Sequence, residues 1–359
     1  MLISLFVILA VGVEVSRHWT LNEYAITPGN ATPVEPLVHV SGLVTNSHHD
    51  KIMLTDVYLS SLNAWQWLTL HFSSHVQFVG ADQLVEPGVP TDELGAQGYL
   101  EMSDSKQAAE VSAFKALGWK TPGTPTGAII NSVSAPSPAR IAGLHVADEI
   151  VAVNGTAVTS SCALVRAVHD FVPGTKERLT VDRAKISPSG IITYRAPSSV
   201  TLISGVTPSG SVSSGCAGVS GVSKSWLGVG LEDGFSYVLP AKVTINTKDI
   251  GGPSAGLAMT LTLIDKLSKK SISGNQPIAA TGTMDVYGNV GDVGGVAEKT
   301  VAVQRAGAKY FFVPQVEVAT AKSAAAPGLT IVGVTTLHQA LRDLRKIGGG
   351  SPEPITKPR

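Results

Sequence analysis

Residues 250–259 read Ile-Gly-Gly-Pro-Ser-Ala-Gly-Leu-Ala-Met, a glycine turn running straight into an apolar segment. Pro253 suits the first helical position, where its missing N–H costs nothing, so the pattern predicts a helix from Pro253 to Leu267. Ala255, Leu257, Ala258, Met259, Leu261, Leu263 and Ile264 cover nearly every side of that helix, which predicts that it is buried. Ser254 then falls in the first turn, where backbone N–H groups lack intrahelical partners and carry partial positive charge. A serine oxygen attacking a carbonyl there would have donors for the developing oxyanion nearby. Gly251 and Gly252 permit tight backbone geometry and close approach of a substrate. The same letters also describe an ordinary loop-to-helix start, so the segment alone leaves both readings open.

A second segment, Gly295 to Ala308, has helical spacing. At 3.6 residues per turn, Val296, Ala302, Val303 and Ala306 share one face and Lys299 sits in the middle of it. A lysine centred on an apolar stripe either carries its head to solvent or sits desolvated with a lowered pKa. In the second case it can act as general base toward a serine hydroxyl.

Outward from these two helices, the C-terminal third alternates strand and helix. Val243–Asn246, Pro277–Met284, Tyr310–Val313 and Leu329–Val334 read as strands, and Thr336–Ile347 as a closing amphipathic helix, which makes an α/β domain. Three motifs occur in order: Gly251-Gly-Pro-Ser-Ala-Gly, Ala280-Thr-Gly-Thr, and Gly291-Asp-Val-Gly-Gly-Val-Ala-Glu-Lys. Together they resemble the proteolytic domain of the Lon family over about residues 226–346. The resemblance implies Ser254 as nucleophile and Lys299 as base. It also implies a supporting loop of Gly252, Pro253 and Ala255, with Thr281 hydrogen-bonded to the lysine or its proton shuttle. Many ATP-dependent relatives carry an acid three positions before the serine; here Gly251 stands there and the nearest acid is Asp249.

Upstream, Gly127-Ala-Ile-Ile-Asn-Ser-Val-Ser-Ala-Pro-Ser-Pro-Ala-Arg-Ile-Ala-Gly-Leu and Asp148-Glu-Ile-Val-Ala-Val-Asn-Gly resemble a PDZ domain of the bacterial protease-associated type. Such a domain takes an extended peptide as an added strand. Its peptide-carboxylate loop is expected just before the first of these strands, at Leu117, Gly118 and Trp119. The alternative is a spacer domain without a ligand.

The expected organisation is a hydrophobic anchor or signal at 1–16, an N-terminal α+β region at 17–114, a PDZ domain at 115–205, a Gly/Ser-rich linker at 206–225, a Lon-type proteolytic domain at 226–347 and a disordered tail at 348–359. The fold class is multidomain α/β. The run Met1–Val13 is apolar except for Ser4 and Gly12, and it is shorter than the roughly 20 residues of a membrane span. It reads as a signal anchor, a cleaved signal or a buried strand. Arg17, after the run, taken alone points that side inward. The resemblance to membrane-anchored proteins that join a PDZ domain to a Lon-type domain favours the anchor, with the protease domain on the extracytoplasmic side of the cell membrane.

Charged residues make up 15% of the chain, hydrophobic residues 43%, and 27 basic residues balance 27 acidic ones. With no basic excess, a nucleic-acid partner is disfavoured. Cys162 and Cys216 exclude a disulfide framework and any CxxC-type zinc site, and leave a single bridge open. His71 and His75 are spaced i, i+4, but Phe72 stands where a zinc protease needs Glu, so no metal and no cofactor is expected. Ser223 precedes Lys224-Ser225 where a P-loop requires Gly, so no nucleotide engine is read here. The expected activity is an ATP-independent Ser-Lys endopeptidase acting on polypeptides, tethered to membrane lipid through its first residues, with homo-oligomerisation left open. A latent PDZ scaffold and a non-peptidase Ser/Lys hydrolase are the competing readings.

Overall fold

The chain is a computed structural model that describes residues 13–48, 51–84, 89–169, 171–208, 215–217, 219 and 224–358. Among the described residues two six-stranded sheets carry the fold, beside four two-stranded ones. The first contains β1 (Thr20–Pro33), β2 (Ile52–Asn63) and β3 (Gln77–Gly80), followed after a long interval by β9 (Ile278–Ala280), β10 (Tyr310–Pro314) and β11 (Thr330–Val334). The second contains β4 (Gly123–Val133), β5 (Glu149–Val153), β6 (Lys176–Asp182), β7 (Ser198–Ile203) and β8 (Val229–Tyr237). The helices used below are α1 (Ala64–Leu70), α2 (Leu94–Ala116), α3 (Ser161–His169), α4 (Gly256–Leu267), α5 (Val296–Arg305) and α6 (Leu337–Lys346).

The first sheet has the order β11-β10-β9-β2-β1-β3, parallel from β11 to β2 and antiparallel thereafter. Its central strands are apolar on both faces. Ile52, Leu54, Ile278, Ala280 and Phe312 pack into a core with α2, α4 and α6. Their strand neighbours Met53, Ala279, Phe311 and Val313 pack on the other face with Val296 and Val303 of α5. This is the period-two division expected of strands covered by helices on both sides. In α4 the buried Thr260 and Thr262 place their hydroxyls on the carbonyls four residues back, at 2.8 and 2.9 Å, so a helix buried all round leaves neither hydroxyl unpaired.

Residues 17–114 are not a separate region, because β1, β2 and β3 complete the sheet of the proteolytic unit and α2 packs in its core. Lys242–Ile245 also pairs antiparallel with Val38–Ser41. The second sheet is an insertion between α2 and residue 238. Its entry and exit meet where the Val238 N–H donates to the Pro122 carbonyl at 3.0 Å. Its order is β7-β6-β5-β4-β8, so β8, expected to open the proteolytic domain, is an edge strand of the PDZ sheet.

The expected linker 206–225 is likewise tied in. Gly205–Val206 pairs with Ser225–Trp226, and Cys216 forms a disulfide with Cys162 of α3. The expected disordered tail packs back: Ile355 N–H donates to the Leu267 carbonyl, Gly350 N–H to the Ser271 carbonyl, and Lys269 pairs with Glu353. Among the described residues no helix is long and apolar enough to cross a membrane; the anchor expected at 1–16 falls mostly on residues 1–12, outside those described.

Candidate active site

α4 and α5 lie on opposite faces of the first sheet, and their relevant residues meet beyond the carboxyl end of β9. There Ser254, Lys299, Thr55, Asp56, Thr247 and Asp249 border one cavity of about 470 Å³. The end of a strand between two helical layers is where open α/β sheets present ligands to chemistry.

The helix expected from Pro253 begins instead at Gly256, with Ala255 at the N-cap. Tertiary hydrogen bonds take the groups a helix would have used. The Ser254 carbonyl accepts from Gly282 N–H at 2.9 Å and from the Thr281 hydroxyl at 3.2 Å. Leu257 N–H donates to the Gly282 carbonyl at 3.1 Å rather than to Pro253. The Pro253 carbonyl accepts from the Ser105 hydroxyl of α2 at 2.9 Å. Ser254 is therefore held, half-buried, in a turn stitched to the end of β9. Among the described residues neither Ser254 N–H nor Ala255 N–H has a backbone carbonyl partner.

α2 supports this loop from below. Gly252 takes φ +86° and donates its N–H to the Gly98 carbonyl at 2.7 Å. A Cβ on Gly251 would stand 3.2 Å from the Gly98 backbone, so a glycine–glycine contact sets the distance between loop and helix.

Lys299 is 3% exposed. Its Nζ donates to the Thr281 hydroxyl at 3.5 Å. Desolvation pulls its pKa from 10.5 down to about 8, against the opposing pull of Asp56 and Glu317. Gly295 makes this placement possible. It starts α5 in the left-handed region, and a Cβ there would meet Val57 at 3.0 Å, so α5 lies directly on β1 and β2.

Asp56 and Thr55 are functional candidates that sequence reasoning missed. Both sit on β2 in a segment that reads as any alternating strand; the Asp56 carboxylate accepts from Asn30 N–H at 2.8 Å, where β1 bulges between Pro28 and Ala31. Thr55 and Thr247 have buried hydroxyls without a partner among the described residues, and both border the cavity. No sequence signal marks them, because only the fold brings β2 to residue 247.

The structure does not bring Leu117, Gly118 and Trp119 to the edge of the PDZ sheet. Leu117 is 4% exposed in the core of the proteolytic unit, Gly118 at φ +91° closes α2, and Trp119 packs edge-on against Phe114 at 5.7 Å. The loop that leads into the edge strand β8 of this sheet is Trp226-Leu-Gly-Val229. Gly228 has φ +79°, and a Cβ there would stand 2.2 Å from Ser137, so only glycine fits. Val229 and Leu231 on β8, and Ala163 and Ala167 on the neighbouring α3, are half-buried against one core.

The Thr281 hydroxyl receives from Lys299 and donates to the Ser254 carbonyl, so it bridges the two segments. Thr281→Val is expected to lower kcat by about tenfold or more, the effect of one buried hydrogen bond to a charged group. Because that bond favours the protonated lysine, its loss is also expected to move the pH–rate midpoint below about 8. An unmoved midpoint would count against contact between Thr281 and the titrating group.

A buried lysine and a serine turn thus border one cavity at the end of the sheet. Comparison with known proteins gives the class. Residues 244–343 match the Lon protease (S16) C-terminal proteolytic domain, and residues 99–187 match the PDZ domain. The chain therefore carries a Lon-type proteolytic domain joined to a PDZ domain in a multidomain α/β fold. The Lon protease of Clostridioides difficile is 45% identical over 64 residues, 18% of this chain and 8% of that protein. The Lon protease of Buchnera aphidicola is 30% identical over 138 residues, 38% of this chain and 17% of that protein. The matched part of this chain thus covers less than a fifth of either relative. A solved PDZ domain of the SdrC-like protein from Listeria monocytogenes shares 16% identity at a TM-score of 0.22, over 29% of this chain and 86% of that one.

Proposed function

We propose that this chain is an ATP-independent serine endopeptidase whose nucleophile is Ser254 and whose general base is Lys299. The observation that carries the reading is the buried, desolvated Lys299, linked through Thr281 to the turn holding Ser254 on one cavity. Neutral Lys299 takes the proton from Ser254 Oγ as that oxygen attacks the peptide carbonyl. The oxyanion meets the N–H groups of the 254–255 turn, the ammonium returns its proton to the leaving amine, and an ester on Ser254 remains. Water activated by the again-neutral Lys299 then releases the acyl product.

Membrane tethering through residues 1–16 and an extracytoplasmic protease domain belong to the same proposal. The Cys162–Cys216 bridge supports the second, since disulfides persist in oxidising compartments. The PDZ unit is read as the substrate-recruiting module, with the peptide added beside Val229–Leu231 and its apolar end between β8 and α3.

Two experiments test this. A serine-directed acylating inhibitor is expected to label Ser254, as mapped by peptide mass, and to label it more slowly as pH falls. Labelling elsewhere, or none, overturns the nucleophile assignment. Ala167→Glu is expected to weaken binding of a peptide with an apolar C-terminus by about tenfold or more, while cleavage of a short chromogenic substrate is unchanged. Unchanged peptide affinity would move recognition away from β8 and α3.

A further inference from the structure

The far end of the β1–β2 ribbon carries an aromatic surface that the chemistry above does not use. Residues 57–81 contain no Asp, Glu, Lys or Arg, although such residues make up 15% of the chain. Three of the five tryptophans gather here, Trp19, Trp65 and Trp67. Trp19, Leu68 and Phe72 are 66%, 48% and 85% exposed. The surface is ordered. Asn63 and Gln66 form a reciprocal cap on α1, and Ala64 N–H donates to the Trp19 carbonyl at 3.0 Å. His71 stacks on Phe78 at 4.5 Å and lies tilted against Trp67 at 4.0 Å.

The chain itself indicates what covers this surface. Residues 13–18 are helical and run into Trp19, so the apolar run Met1–Val13 joins the described fold at this patch. We infer that α1, Trp19 and Phe72 lie in the interfacial layer of a lipid bilayer, as a second contact beside the N-terminal run. The chemistry fits. Trp and His present an apolar body and a polar edge, and the rim of α1 is Ser, Thr and Gln; the charges nearest Trp19 are Glu14 and Arg17, exposed and paired at 3.7 Å, and Glu23, which borders the Trp19–Trp67 pocket, so their polar ends are left to the headgroup layer. Tryptophans concentrate at this depth of membranes. Asp56 lies seven residues before Asn63 on β2, so at about 3.3 Å per residue the cavity stands about 20 Å from the lipid headgroups. The inference rests on the reading of residues 1–16 as a membrane tether, and not on the Ser254–Lys299 reading.

The test uses the full chain with vesicles of phosphatidylcholine and phosphatidylglycerol, some carrying bromine just below the headgroup. One variant keeps only Trp67 and another only Trp226, the remaining tryptophans being Phe. The expected result is flotation with the vesicles and a drop of about twofold in Trp67 emission from bromine, with Trp226 unaffected. Adding Leu68→Asp and Phe72→Asp is expected to restore Trp67 emission while the chain still floats. Flotation with unquenched Trp67 overturns the inference and leaves the tether standing; absence of flotation overturns both. Quenching that survives the two Asp substitutions, or self-association that these substitutions abolish without any quenching, also overturns it. Where the tryptophan variants fail to fold, Phe72→Cys carrying an environment-sensitive fluorophore reads the same contact. The wild-type rate on a soluble peptide substrate shows separately whether the protease reading holds.

Discussion

Lys299→Arg and Ser254→Ala are each expected to reduce hydrolysis of an unfolded protein by about a thousandfold or more, although Arg keeps the charge of Lys. Arginine is effectively always protonated, so it cannot accept the serine proton. A purely electrostatic or structural role for Lys299 would leave the Arg variant partly active. Wild-type kcat/KM is expected to rise with pH, about tenfold per unit below the lysine pKa near 8, and then to level. The sign follows from the charge: the protonated ammonium predominates at low pH and is inactive as a base. Retained activity in either variant, or a profile flat from acid to alkaline pH, overturns the dyad.

The same lysine is expected to cost stability. Lys299→Met should raise the melting temperature at pH 7 while removing activity. With a folded pKa of about 8 against an unfolded value of 10.5, the unfolded chain binds more protons between those limits. Stability therefore rises with pH across that window, and the deficit is complete below about 8. The shift corresponds to about 3 kcal/mol at pH 7. Methionine fills similar space without a charge to desolvate, so several degrees of Tm are expected at pH 7, reduced by the lost bond to Thr281. The gain should shrink toward zero near pH 10.5. A variant equally destabilised at pH 7 and pH 10 would show that Lys299 is not the desolvated group described here.

Much of the local chemistry was legible in the chain. The apolar wrap of 255–264 announced a buried helix, since that follows from helical period alone; the same period put Lys299 on an apolar stripe but left open whether its head reached solvent, which the fold decides by burying it. The helix start was misplaced by three residues. Local preference put Pro253 at the first turn, whereas carbonyls 253 and 254 bond to Ser105, Thr281 and Gly282 instead. Those partners lie 27 or more positions away, beyond what a window of sequence can weigh. Leu117-Gly118-Trp119 precede the first PDZ strand along the chain, but chain order is not spatial order. In the fold the edge strand of the PDZ sheet comes last in sequence, at 229–237.

The amino-acid sequence alone pointed to the two domain types and, through the resemblance carried by three ordered motifs, to the candidate pair Ser254 and Lys299, since each motif is a short-range pattern. Only the tertiary structure decided that the proteolytic unit is split, with β1, β2 and α2 on one side of the PDZ insertion and α4 and α5 on the other. It alone brought Asp56 and Thr55 to the cavity. The physical reason is that both faces of the first sheet must be covered and its backbone groups paired. The C-terminal strands meet that requirement by adding to β2, across an interval of more than 200 residues that leaves no periodicity for a sequence to display.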